Sequence, residues 1–149
     1  RDQVVGHIGE CLKECGADVT GVHCCGNTDW SMVFETGVDV VHFDAYEYLE
    51  PFVAYHQEIA EHLARGGSIA WGVVPRGEEA LKASAEDLLA VVEHGFDFLE
   101  DRGLDREMLA RRSMVSTSCG LGPSGVEVAG RAIYLTGKVS EMMRERYFN

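Results

Sequence analysis

The sequence predicts an α/β protein of the form α(βα)4, the C-terminal half of a (β/α)8 barrel. Three observations predict it. Short β-branched runs alternate with longer stretches of helical period, turn glycines close the helical stretches, and the metal-capable side chains follow the ends of predicted strands. A small open doubly wound sheet satisfies the first two equally well. The barrel is favoured because it converges every strand end on one axis, where residues remote in sequence meet. A chain of 149 residues suffices for one domain with a core, whereas a complete barrel takes roughly 250. The start at Arg1, inside a helical stretch and without Met, is expected of a fragment or a processed chain.

Val4, Val5, Ile8, Leu12 and Cys15 recur at helical spacing, and Gly16 is placed to stop that helix. Residues 17–23 (ADVTGVH) read as the first strand, followed by a polar loop to Asp29. Trp30–Glu35 reads as a helix closed by Gly37, and residues 38–43 (VDVVHF) as the second strand, ending at Asp44. Residues 47–65 form one long predicted helix stopped by Gly66-Gly67, with Pro51 in its first turn. Ser68–Val74 (SIAWGVV) is the third strand, cut by Pro75.

Leu81, Ala85, Leu88, Leu89, Val92, Phe96 and Leu99 mark one helix face, with Gly103 beyond its end. A short helix over 105–112 leads into the fourth strand, 113–118 (SMVSTS), which ends at Cys119 and a Gly-Leu-Gly-Pro loop. Ser124 and Glu127 have the spacing of a capping box, so the last helix is expected to open at Ser124.

Composition removes several functional classes. Lys and Arg number 13 against 25 Asp and Glu, a net charge of −12, and no basic cluster exists to track nucleic-acid phosphates. No apolar run approaches the roughly 20 residues that span a bilayer, and no signal-peptide pattern opens the chain. Neither nucleic acid nor membrane is therefore an expected partner. Five unevenly spaced cysteines do not make a disulfide scaffold. They suit a reducing, cytoplasmic setting in which thiols stay available for metal or chemistry.

The strongest local signal is His23-Cys24-Cys25-Gly26 at a strand end. Residues two apart in extended chain share a face, so His23 and Cys25 point together while Cys24 turns towards the core. Asp44 ends the next strand and Cys119 the last. Together they supply one imidazole, one carboxylate and two thiolates, a tetrahedral zinc set whose spread along the chain suits a site built across a barrel mouth. The competing reading makes Cys25 and Cys119 small buried hydrophobes.

The stretches VHCCGNTDW, VDVVHFDAY, IAWGVVP and STSCGLG, in that order, resemble the C-terminal catalytic barrel of cobalamin-independent methionine synthase. They also resemble the wider superfamily holding methylcobalamin:coenzyme M methyltransferases and uroporphyrinogen decarboxylase. The resemblance spans about residues 17–125 and only the last four strands of the barrel. Its metal motif is His-x-Cys, a carboxylate ending the following strand, and Cys before Gly on the last strand. Here these are His23, Cys25, Asp44 and Cys119.

What this implies is a zinc-dependent methyltransferase that activates a thiol, homocysteine-like, for attack on a methyl group. Two departures stand out. Asp44 replaces the family's usual Glu, and no His follows the third strand, where folate-using members carry a proton donor. Transfer from methyltetrahydrofolate needs an acid, whereas transfer from a methyl-corrinoid does not, which points to a corrinoid donor. A metal-free decarboxylase-like barrel, a methylcobalamin:coenzyme M-type methyltransferase and a non-enzymatic barrel half with structural zinc are the alternatives. Two open edges and an uncovered face imply a homodimer or pairing with a missing N-terminal half.

Asp29 and Trp30 follow the His-Cys loop and are candidate substrate contacts, against the reading of an ordinary helix start. His42 reads as a satisfied core histidine, while His7, His56, His62 and His94 read as helical residues outside the site, the first three on the surface. Cys11 and Cys15 read as inert packing on one helix face, and Trp71 as packing against helices. Gly120-x-Gly122 lacks the Lys and the spacing of a phosphate loop.

Overall fold

Strands β1 (Gly21–Cys24), β2 (Val40–Phe43), β3 (Ser68–Val74) and β4 (Ser113–Thr117) form one parallel sheet in that spatial order, in a computed structural model that describes residues 1–149. The register puts His23, His42, Ala70 and Met114 in one row, and Cys24, Phe43, Trp71 and Val115 in the next. Paired residues in adjacent rows face opposite sides of the sheet. Sequential parallel strands joined by right-handed crossovers bring all their helices to one face. Burial agrees. Val41, Phe43, Ile69 and Trp71 are buried, whereas Val40 and His42 are half-buried and His23 and Met114 exposed.

The helices are α1 (Asp2–Glu14), α2 (Trp30–Glu35), α3 (Ala45–Val53), α4 (His56–Ala64), α5 (Glu79–Lys82), α6 (Ala85–Glu100), α7 (Arg106–Arg111) and α8 (Val126–Phe148). Aromatic rings fill the layer between them and the sheet. Phe43 stacks on Phe52 with centroids 3.7 Å apart, and Trp71 meets the edges of Phe43 and Phe96 at 5.3 and 5.4 Å. The Trp71 indole donates to Ser113 Oγ at 2.8 Å, so its polar end is satisfied. It lies so close to α6 that a Cβ at Gly95 would sit 2.6 Å from the ring.

The third strand and α2 have the predicted bounds, and Gly16, Gly37, Gly66 and Gly103 stop their helices with φ of 64, 76, 95 and 92°. Other elements differ for local reasons. The helix predicted over 47–65 is two, parted at Ala54 and Tyr55, and Pro51 lies inside the first, not in its first turn, where its ring crowds the carbonyl of residue 47. Tyr48 is driven off helical geometry (φ −126°, ψ 32°), and a second helix starts after Tyr55. Ser84 accepts from the Asp87 amide at 3.1 Å and starts α6 afresh, separating it from α5. β1 and β2 start later than predicted, since Asp39 Oδ2 takes both the Thr20 amide and hydroxyl at 2.8 Å. No capping box opens α8. Its N-cap is Gly125, and Ser124 Oγ donates instead to the Arg76 carbonyl at 2.8 Å.

His62 corrects the sequence reading most sharply: it is fully buried, not on the surface. Nε2–H donates to the Ser68 carbonyl at 3.1 Å, Nδ1 accepts from Arg65 at 3.0 Å, and the ring packs 5.2 Å from Phe34. Both nitrogens are satisfied only in the neutral ring. Burial holds its pKa below the ordinary value; Arg65 adds to this, and Asp39 and the Ser68 bond oppose it. The unfolded chain therefore binds the proton first as pH falls. The stability this packing contributes is whole above about pH 6.5 and is lost below it. Urea midpoints measured from pH 7.5 to 5.5 are expected to fall, and His62→Gln is expected to flatten part of that slope. An unchanged slope in the variant contradicts the assignment.

Candidate metal centre

Alternation along β1 turns His23 to the uncovered face and Cys24 to the helix layer, where Cys24 packs against the core. Cys25 follows just beyond the strand. On β2, His42 occupies the same row as His23, and the two rings lie 4.3 Å apart between centroids. The far edge of the sheet is shaped by an irregularity: Gly72 pairs with Ser116, but Val74 pairs with Thr117, so β3 has one extra residue there. The Ser118 amide then bonds the Val74 carbonyl at 2.7 Å, and Thr117 Oγ1 donates to the Cys119 carbonyl at 2.9 Å.

Gly72 is where the strands crowd most. A Cβ there would lie 2.6 Å from the Phe43 carbonyl oxygen, 2.9 Å from Ser118 Cα and 3.0 Å from the Thr117 carbonyl oxygen. With no side chain in the way, His42 on β2 reaches across β3, and its Nε2–H donates to the Thr117 carbonyl at 3.1 Å. That bond fixes the ring tautomer. Burial, and then the neighbouring His23, keep the His42 pKa below its ordinary value.

In a flat sheet, first and fourth strands lie three spacings of about 4.8 Å apart, roughly 14 Å. Here the ligating atoms of His23, Cys25 and Cys119 all fall within 4.8 Å of one another. Ligand edges in a tetrahedral zinc site are about 3.5–3.8 Å for bond lengths near 2.0–2.3 Å, so the three atoms close by at most about 1.3 Å to hold one ion. One nitrogen and two sulfurs also suit that ion, and three protein ligands leave one position open. The Cys25 pKa is raised, first by its hydrogen bond with the Cys119 thiol and then by that neighbour's charge. Two thiolates this close repel each other, and a divalent cation between them removes the penalty.

Asp44 is not in this group. It is almost fully buried at the start of α3, and its Oδ1 accepts from the Glu47 amide at 3.0 Å as the helix cap. Its carboxyl is pushed up by burial, with the Glu47 amide opposing. It lines, with Cys25, a cavity of about 370 Å³. The two candidate substrate contacts also have other positions. Asp29 caps α2 through the Ser31 amide and pairs with Arg1 at 2.8 Å. Trp30 is fully buried, edge-on to Phe52 at 5.0 Å, and has no surface to offer a substrate.

Cys11 and Cys15 are exposed on or just beyond α1, not packed. His42 is the site neighbour that the sequence reading set aside. Strand alternation carried the signal, because once β1 pairs with β2, a histidine one residue before Phe43 must share the face of His23. No helix is long and apolar enough to cross a membrane. Searches of protein-family models, curated proteins and solved structures give no match to this chain.

Proposed function

We propose that the chain is a zinc-dependent thiol methyltransferase of the kind it resembles, its four strands forming half of a (β/α)8 barrel, with homocysteine as acceptor. One observation carries the reading: His23 on the first strand, Cys25 just beyond it and Cys119 just beyond the last bring their ligating atoms within 4.8 Å. Bound zinc supplies acidity, holding the substrate sulfur as thiolate at a pH where a free thiol, with a pKa of roughly 8.5, is mostly protonated. The protein's part is positional and electrostatic. Cys25 and Cys119 as thiolates balance the ion's charge, and His23 completes three ligands. Asp44 lies outside the group of three, which leaves the fourth position to the substrate.

A corrinoid donor suits the same geometry. Residues 75–76, directly after β3, are Pro-Arg and carry no group that gives up a proton near neutral pH. The Nε2–H of His42 is occupied by the Thr117 carbonyl. A methyl-corrinoid leaves without needing a proton, so nothing is lacking. On this reading the uncovered sheet face is closed by four more βα units, from a longer chain or from a second copy. Light scattering tests the second-copy form, which requires twice the monomer mass.

Metal analysis of the purified chain beside Cys119→Ala tests the whole proposal. About one zinc per chain is expected in the unaltered protein and none in the variant. Methionine formation from homocysteine and methylcobalamin, followed by mass spectrometry, is expected only in the first. If both proteins are free of bound zinc under zinc-replete conditions, the reading is wrong.

A further inference from the structure

The cavity beside Cys25 has an uneven set of charges. Asp44, Glu47 and Glu79 line it as acids, and Arg76 is its one cation. Most arginines elsewhere in the molecule are engaged; Arg144, on α8, is not, and it does not line this cavity. Arg1, Arg106, Arg111 and Arg146 pair with carboxylates, while Arg65, Arg102, Arg112 and Arg131 donate to carbonyls. Arg76 forms neither contact, although three acids share its cavity. Its base is nevertheless anchored. Buried Pro75 precedes it, and Ser124 Oγ holds its carbonyl at 2.8 Å. The result is a free guanidinium on a fixed stem, in the same small cavity as a ligand of the candidate metal centre.

We propose that Arg76 binds the anionic end, carboxylate or sulfonate, of the thiol whose sulfur enters the His23–Cys25–Cys119 group. The inference rests on the metal-centre reading above. A guanidinium offers two parallel N–H donors to either anion, which sets the direction of the substrate as well as its affinity. The surrounding acids decide between sources. Asp44 and Glu47 favour a substrate that also carries an ammonium group and oppose one that brings only negative charge. A zwitterionic amino-acid thiol satisfies both halves of the lining, whereas a sulfonate thiol satisfies only Arg76.

The test uses cobalt(II) in place of zinc, with thiol entry followed by the sulfur-to-cobalt absorption. Four thiols are compared: L-homocysteine, 2-mercaptoethanesulfonate, 2-aminoethanethiol and 2-mercaptoethanol. Arg76→Gln, an exposed position that leaves folding unaltered by circular dichroism, is expected to weaken the two anionic thiols 10- to 100-fold. The neutral and cationic thiols are expected to bind within about twofold of the unaltered protein. Selective weakening of either anionic thiol supports the role of Arg76, and the tighter of the two identifies the source. Equal weakening of all four, or no weakening of the anionic pair, overturns it. If the unaltered protein takes up no cobalt, the metal-centre reading fails first, visibly, and this inference falls with it.

Discussion

Gly72→Ala is expected to destabilise the protein by about 3 kcal/mol and to separate Cys119 from Cys25 in the molecules that still fold. The added methyl meets backbone on every side: the Phe43 carbonyl at 2.6 Å, Ser118 Cα at 2.9 Å and the Thr117 carbonyl at 3.0 Å. Backbone atoms in a hydrogen-bonded sheet cannot rotate aside as a side-chain tip can. The β3–β4 pairing must part there, and the His42–Thr117 bond lies across the same point. Gly21→Ala is the matched control. It adds the same methyl to the same sheet, but its nearest neighbours are 3.6 Å away, an ordinary contact. That variant is expected to stay within about 0.5 kcal/mol of the unaltered protein. Urea unfolding of the two, with cobalt titration of each, separates a general intolerance of alanine from a specific block at Gly72. A Gly72→Ala protein with normal stability and normal cobalt uptake contradicts the described crowding.

Zinc, added and then removed with a chelator, is expected to have the second large effect if the proposed centre binds it. An ion that binds only the folded state stabilises it by about 4 kcal/mol when its free concentration is a thousandfold above the dissociation constant. For a chain of this size each kcal/mol moves the thermal midpoint by roughly 2–4 °C. Calorimetry with zinc and then with a chelator is therefore expected to show a fall of roughly 10 °C. The gain arises because Cys25 and Cys119 lie at opposite edges of the sheet, so the ion joins elements that separate on unfolding. Cys119→Ala is expected to melt at the chelated midpoint with or without zinc. An unaltered protein whose midpoint ignores zinc counts against a shared ion.

How much of this was legible in the sequence depends on which force sets each feature. β3 is predicted residue for residue, because a strand buried on both sides by neighbours reads as a continuous apolar run between Gly67 and Pro75. Three of the four proposed ligands meet, because strand ends in a parallel sheet share one edge and this sheet bends enough to bring its outer ends together. Asp44 shows the limit. A carboxylate between a strand and a helix is placed equally well to cap or to coordinate, and only the three-dimensional position of the Glu47 amide decides between them. Trp30 and His62 fail for a related reason. Helical period assigns a face but not the depth of its burial, and each side chain is covered by aromatic rings from other elements.

The link across β3 has a mechanical consequence. Cys25 and Cys119 follow the ends of the two outermost strands, so the gap between their sulfurs measures how strongly the sheet is bent. Bending closes that gap and flattening opens it, while the His42–Thr117 bond spans the inside of the curve like a string across a bow. A neighbour on the bare side of the sheet, as proposed above, would set that curvature, and with it the spacing of the three candidate ligands. On that proposal, affinity for metal and attachment of a neighbour would be two readings of one deformation.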